Sequence, residues 1–198
     1  MQHIRVSEIL ARLKDFSHID ERVLNEKAKI GTEVHKNIHE YNTNGFPMFD
    51  TYAVRGFATS EIKRWEERGK GYFQSYTQWH KRESPKYTLM EKRLFDDTLM
   101  ITGQIDALIS SDPLPVLVDF KCSYKEDLEM WGMQAHFYKY LLDCNGIRTA
   151  DHFLFMKLNK DSKMPRIFRI DFDEHVLSRC IDEAIKYWEE KTLGTCVA

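Results

Sequence analysis

Three side chains in the sequence invite chemistry: Asp106 in "GQID", and Asp119 and Lys121 in "VDFK". The second stretch lies inside "PVLVDFKCS" (115–123), which is otherwise strongly apolar. Side chains alternate along a strand, so Val116, Val118 and Phe120 share one face and Leu117, Asp119 and Lys121 the other. A second alternating run, "MITGQIDALIS" (100–110), precedes it, and "SSDPLP" between the two reads as a turn. A hairpin turning near Asp112 and Pro113 pairs residues whose numbers sum to about 225. Asp106 then lies opposite Asp119, and Gln104 opposite Lys121, with facing Cβ atoms about 4.5–5.5 Å apart. A slip of one residue would separate the two aspartates. The same register puts Ile101, Gly103, Ile105, Ala107 and Ile109 on the core face with Val116, Val118 and Phe120.

Two carboxylates that close raise each other's pKa unless a cation compensates. Lys121 offsets one charge from two residues away. A divalent cation between the aspartates is the economical answer, and oxygen donors without thiolate favour magnesium or manganese over zinc. The competing reading is an Asp–Lys ion pair on an edge strand, worth ~0–1 kcal/mol.

Several elements must position these groups. "VSEILARLKDF" and "IDERVLNEKAKIGTEVHKNIHEYN" have apolar residues at helical spacing, with Val34 and Ile38 one turn apart. A third helix is expected over "ATSEIKRWEERGKGYFQSYTQWHKRES", capped by Ser60, with Ile62, Trp65, Tyr72, Tyr76 and Trp79 on one face. From "KYTLMEKRLFD" onward the period changes to two. Three strands, a helix over "KEDLEMWGMQAHFYKYLLDC", two strands ("DHFLFMKLN", "RIFRIDF") and a last helix capped by Asp173 complete the chain. The expectation is a mixed α/β layer fold whose three consecutive strands form an antiparallel meander. It would be one domain over 1–198, mainly helical over 1–84, with the sheet core and its flanking helices over 85–198.

The chain has 198 residues, 42% of them hydrophobic, with 29 basic and 31 acidic side chains and a net charge of −2. That balance excludes a protein that coats nucleic acid by charge alone, so any such contact must use a local groove. No run approaches the ~20 apolar residues of a membrane span. The N-terminus mixes charges into its apolar positions, so a soluble, cytoplasmic protein is expected. Cys122, Cys144, Cys180 and Cys196 are far apart and form no CxxC pair, which argues against a zinc ribbon and a disulfide framework.

"GQID" followed by "VDFK" resembles the PD-(D/E)XK nuclease superfamily. "WGMQAHFYKYLL" resembles the Q-x-x-x-Y helix of its RecB-like and lambda-exonuclease-like branch, giving Gln134 and Tyr138. "KIGTEVHKNIHEY" resembles that branch's upstream G-x-x-x-H element, giving Gly31 and His35. The resemblance implies a restriction-endonuclease-like core and a magnesium- or manganese-dependent nuclease. Its substrate would be DNA ends or single strands, in recombination, repair or replication. Asp106, Asp119, the Phe120 carbonyl and His35 would hold the metal. Lys121 would position or deprotonate the attacking water, or stabilise the phosphate. Some relatives carry an Fe–S cluster on one early and three late cysteines; nothing precedes Cys122 here, so no cluster is expected. A nuclease fold that binds nucleic acid without cutting is the alternative.

Spacing supports part of this independently. Trp131, Gln134, Tyr138 and Leu141 share a helix face, where a glutamine amide needs partners and could orient Lys121 or touch phosphate. His39, one turn after His35, competes with it. Glu91 in "LMEKRL" could approach from the first strand of the meander, or simply be a solvated strand residue. Lys125, Lys157, Lys160, Lys163 and Arg166 form a basic cluster that could grip phosphates. Tyr72, Phe73, Tyr76 and Trp79 could stack bases, though a stripe at helical spacing is more often a core face.

Overall fold

The computed structural model describes residues 2–15, 17–48 and 55–195; Phe16, at the end of the first expected helix, and Cys196 lie outside them. The elements are β1 (Ile4–Arg5), α1 (Val6–Ala11), α2 (Glu21–Asn44), α3 (Thr59–Arg64), a π-helical turn (Trp65–Gly69) and α4 (Lys70–Glu83). They continue with β2 (Tyr87–Asp96), β3 (Ile101–Ile109), β4 (Val116–Lys121), α5 (Leu128–Cys144), β5 (His152–Lys157), β6 (Arg166–Asp171) and α6 (Glu174–Thr195). The described residues form one six-stranded mixed sheet covered by helices on both faces.

β2, β3 and β4 make the expected antiparallel meander. Helix α5 then crosses over so that β5 runs parallel to β4, and β6 returns antiparallel to β5. The hairpin register is the one read from the sequence: Ala107 pairs with Val118, Leu108 with Leu117 and Ile109 with Val116. One edge of β3 is shared, with β1 pairing to Ile101 and Thr102 and β4 to Ala107–Ile109. Between these two contacts β3 and β4 part, and Asp106 sits at the fork. The expected facing pairs Asp106–Asp119 and Gln104–Lys121 are therefore both outside the ladder. Gln104 instead faces Arg93 on β2, whose guanidinium donates to its Oε1 at 2.8 Å.

The fork also changes which residues share a face. Ile101 and Ile105 pack with Leu117 in the core beneath α1, α5 and α6. Ala107 packs with Val118 and Phe120 in the core beneath α2 and α4. The even alternation expected along β3 thus breaks at Asp106, and opposite it Glu91 has a positive φ of 49°. Leu117 is as buried as Val118, so both faces of β4 are covered, which accounts for its near-continuous apolar sequence.

α2 is held by Ile30, Val34 and Ile38, buried at i, i+4 and i+8. Asp20 caps it through Arg22 N at 2.7 Å, and Gly45, at φ 79°, ends it. The third helix starts two residues earlier than a Ser60 cap requires. Ala58 is its N-cap, and the Glu61 carboxylate accepts from Ala58 N at 2.9 Å. Asp173 accepts from His175 N at the start of α6, as expected. Strand β1 was not foreseen, because two residues carry no periodicity. No helix among the described residues is long and apolar enough to cross a membrane.

Candidate active site

Asp106 and Asp119 are 8% and 4% exposed, so each carboxylate must find partners inside the protein. Where the β3–β4 ladder ends, the Asp106 side chain replaces it: Phe120 N donates to Asp106 Oδ2 at 2.7 Å. His35, half-buried on α2, reaches the same place from the other side. Its Nδ1 lies 3.2 Å from Asp106 Oδ1, and its Nε2 lies 2.9 Å from the Phe120 carbonyl oxygen. The structure therefore brings His35, Asp106 and the Phe120 carbonyl together.

Asp119 and Lys121 project toward α5. Lys121 Nζ donates to Gln134 Oε1 at 2.6 Å and lies 2.7 Å from Asp119 Oδ2. Gln134 Nε2 donates to Asp119 Oδ1 at 3.1 Å and to the Tyr138 hydroxyl at 3.0 Å. The amide predicted to need partners has three, and they tie the carboxylate, the ammonium and the tyrosine into one network. Gly103 makes room for it. A Cβ there would meet Tyr138 Cε1 at 2.8 Å and Leu141 Cδ1 at 2.9 Å.

Glu91 is the residue that sequence reasoning undervalued. It is not a solvated strand residue. Ligand atoms of His35, Glu91 and Asp106 all lie within 4.8 Å of one another, around a cavity of about 330 Å³ also lined by Gly31, Lys36 and Gln104. Gln104 Nε2 donates to Glu91 Oε2. Pairing of β2 with β3 opposite Asp106 was the signal that could have found it. His39, the competing histidine, is not part of this cluster.

Electrostatics record the crowding. Burial alone would lower the His35 pKa, but the Asp106 carboxylate beside it outweighs this and raises it to about 9. Burial pushes Asp119 up to about 6, although Lys121 pulls the other way. Burial raises Glu91 too, and the nearby Asp106 charge adds to it. Asp106 is opposed by burial yet held below the usual carboxylate range, chiefly by His35. These carboxylates are crowded more than His35 and Lys121 compensate, and Asp119 Oδ2 has no hydrogen bond, only the misaligned ion pair with Lys121. Hard oxygens, one imidazole and no thiolate in the cluster fit a magnesium- or manganese-type cation.

The expected substrate-contacting groups are placed less uniformly. Tyr72, Phe73, Tyr76 and Trp79 are buried in the core beneath α2 and α4, so they do not offer faces to bases. Lys157 and Arg166 both bond Glu126, at 2.7 and 2.9 Å. The β5–β6 turn is strapped to α4: Asn159 N donates to Ser75 Oγ at 3.0 Å, and Ser162 Oγ to Gln74 Oε1 at 2.6 Å.

The sequence profile of the PD-(D/E)XK nuclease superfamily matches residues 11–167, well over half of the chain. The chain belongs to that superfamily, and its substrate is a nucleic acid. Among solved structures it is similar to a phage-related exonuclease from Haemophilus somnus 129PT, with 15% identity, 98% of this chain and 96% of that chain covered, and a TM-score of 0.44. It is also similar to the alkaline exonuclease LHK-Exo from Laribacter hongkongensis, with 12% identity, 86% and 99% coverage and a TM-score of 0.40. No curated protein matches it in sequence.

Proposed function

We propose that this nuclease is a divalent-metal-dependent deoxyribonuclease acting as an exonuclease on DNA ends or single strands, in recombination, repair or replication, with residues 1–198 as one catalytic domain. The observation that carries the reading is a pair of neighbouring clusters at the β3–β4 fork: His35, Glu91 and Asp106, tied to β4 by the bond from Phe120 N to Asp106, and Asp119, Lys121 and Gln134 on the residues either side of Phe120 and the facing helix. His35, Asp106, Asp119, Glu91 and the Phe120 carbonyl would hold the cation, which supplies Lewis acidity toward the phosphate and a more acidic water.

The protein's own groups do the rest. Lys121, fixed by Gln134, presents an ammonium where charge builds on the phosphate, and holds the incoming water by hydrogen bond. Gln134 bonds both the ammonium and Asp119 and so fixes the two relative to each other, and Tyr138 keeps Gln134 in place. Hydrolysis joins a water oxygen to phosphorus, breaks one phosphorus–oxygen ester bond and delivers a proton to the leaving oxygen.

The test is cleavage of end-labelled single- and double-stranded DNA and RNA with magnesium or manganese. Stepwise shortening of DNA that disappears in Asp119→Asn is expected. Internal cuts would replace the exonuclease assignment, and RNA as sole substrate the DNA assignment. Strand binding without any cutting would leave a binding module instead.

A further inference from the structure

α2 carries Arg22, Lys29 and Lys36 seven residues apart, which puts them on one stripe of the helix, with Asn25 and Thr32 between them. All five are exposed. None of the three cations forms an ion pair among the described residues, whereas the cations facing them are neutralised. Arg64 pairs with Glu33, Arg68 with Glu26 at 3.0 Å and Lys63 with Glu67 at 3.8 Å.

The stripe borders a continuous furrow. A cavity of about 540 Å³ lined by Arg22 shares Ser60 and Arg64 with one of about 750 Å³ lined by Lys29. That second cavity shares Thr32 and Lys36 with the cavity of about 330 Å³ at His35, Glu91 and Asp106. Gly31 lines this last cavity, and the space beside it is open: a Cβ there would meet nothing within 4 Å. Uncompensated positive charge thus leads along one groove into the carboxylate cluster.

We infer that this stripe is the track on which the backbone of a nucleic-acid single strand lies as it reaches the active site. The inference rests on the nuclease reading and adds the path. From Arg22 to Lys36 the helix rises about 21 Å, the length of about six nucleotides at ~3.4 Å each. Contacts of this kind hold phosphates without reading sequence, so the track is indifferent to base identity.

Binding of a fluorescently labelled single-stranded oligonucleotide is measured by anisotropy against salt, in EDTA so that nothing is cut. Wild type is compared with Arg22→Ala/Lys29→Ala, with the charge reversal Arg22→Glu/Lys29→Glu, and with Arg68→Ala, whose charge is already paired. The slope of log affinity against log salt should become shallower by about 1.4 in the double alanine variant, about 0.7 per lost phosphate contact. The reversal should weaken binding further, and Arg68→Ala should leave the slope as it is. If wild type binds and the double variants keep its slope and affinity, the track is refuted while the nuclease reading stands. If wild type neither binds nor cuts any strand, the nuclease reading fails and takes the track with it.

Discussion

Replacing Gln134 with methionine keeps the side chain's length and most of its volume but removes every hydrogen bond it makes. Two of those bonds go to charged groups, Lys121 at 2.6 Å and Asp119 at 3.1 Å, and one to the Tyr138 hydroxyl at 3.0 Å. Bonds to charged groups are worth about 1.5–3 kcal/mol and neutral ones about 1. The gross loss is about 4–7 kcal/mol. Lys121 and Asp119 keep each other at 2.7 Å, and methionine restores apolar burial. The net destabilisation expected is therefore about 2–4 kcal/mol, read as a shift of the urea midpoint. Asp119 would be left without a hydrogen bond, so a bound cation should recover part of the loss; the midpoint gained on adding manganese should be larger in the variant than in wild type. Freed from Gln134, Lys121 loses its fixed position, and kcat on an end-labelled oligonucleotide should fall about 10–100-fold with little change in KM. A destabilisation under about 0.5 kcal/mol together with an unchanged kcat would refute the claim that Gln134 organises the site.

Further outcomes follow from the same geometry. His35 has a folded pKa of about 9 against an ordinary 6.5, so the stability it contributes is complete below about pH 6.5 and lost as pH rises through 9. Asp119, raised from 3.8 to about 6, keeps in the folded state a proton that the unfolded chain releases, so stability falls as pH rises from about 4 to about 6. Because the cation displaces these protons, its affinity and the melting-temperature gain it gives should both grow between about pH 6 and 9; a pH-independent gain would contradict this. Glu91→Gln should weaken manganese binding by about tenfold or more in calorimetry, and unchanged affinity would remove Glu91 from the ligand set. Gly71→Ala should destabilise more than Gly103→Ala in urea unfolding. Its Cβ would collide with the Lys160 carbonyl oxygen, a backbone atom that cannot step aside, whereas Gly103 is opposed by side chains.

The sequence made the hairpin legible because two alternating runs flanked a short turn, and the register followed from symmetry: Ala107 does face Val118. Helical spacing also put Gln134 and Tyr138 on one face of α5, where they do bond each other, whereas His35 came from the family resemblance alone, with His39 as its rival. What it could not carry was the fork. Alternation predicts a flat ladder through Asp106, but the carboxylate itself takes the Phe120 N–H and ends the ladder. That local substitution moves Gln104 to Arg93 and Glu91, swaps the faces of β3, and admits Glu91 to the cluster. Each effect depends on contacts across β2, β3 and α2, whose sequence separations no periodicity spans. The aromatic stripe of α4 illustrates the opposite case: core and stacking surface look alike in sequence, and only the position of α2 over it decides for core.

In the proposed function the carboxylates at the β3–β4 fork together hold a divalent cation at a site that cuts nucleic acid. Manganese binding followed by electron paramagnetic resonance, on wild type and on Asp106→Asn, tests it most directly. Free manganese signal should be lost on adding wild-type protein and regained in Asp106→Asn, and DNA cleavage by the same samples should track the bound fraction. Manganese bound equally by both proteins, or cleavage undiminished in Asp106→Asn, would contradict it.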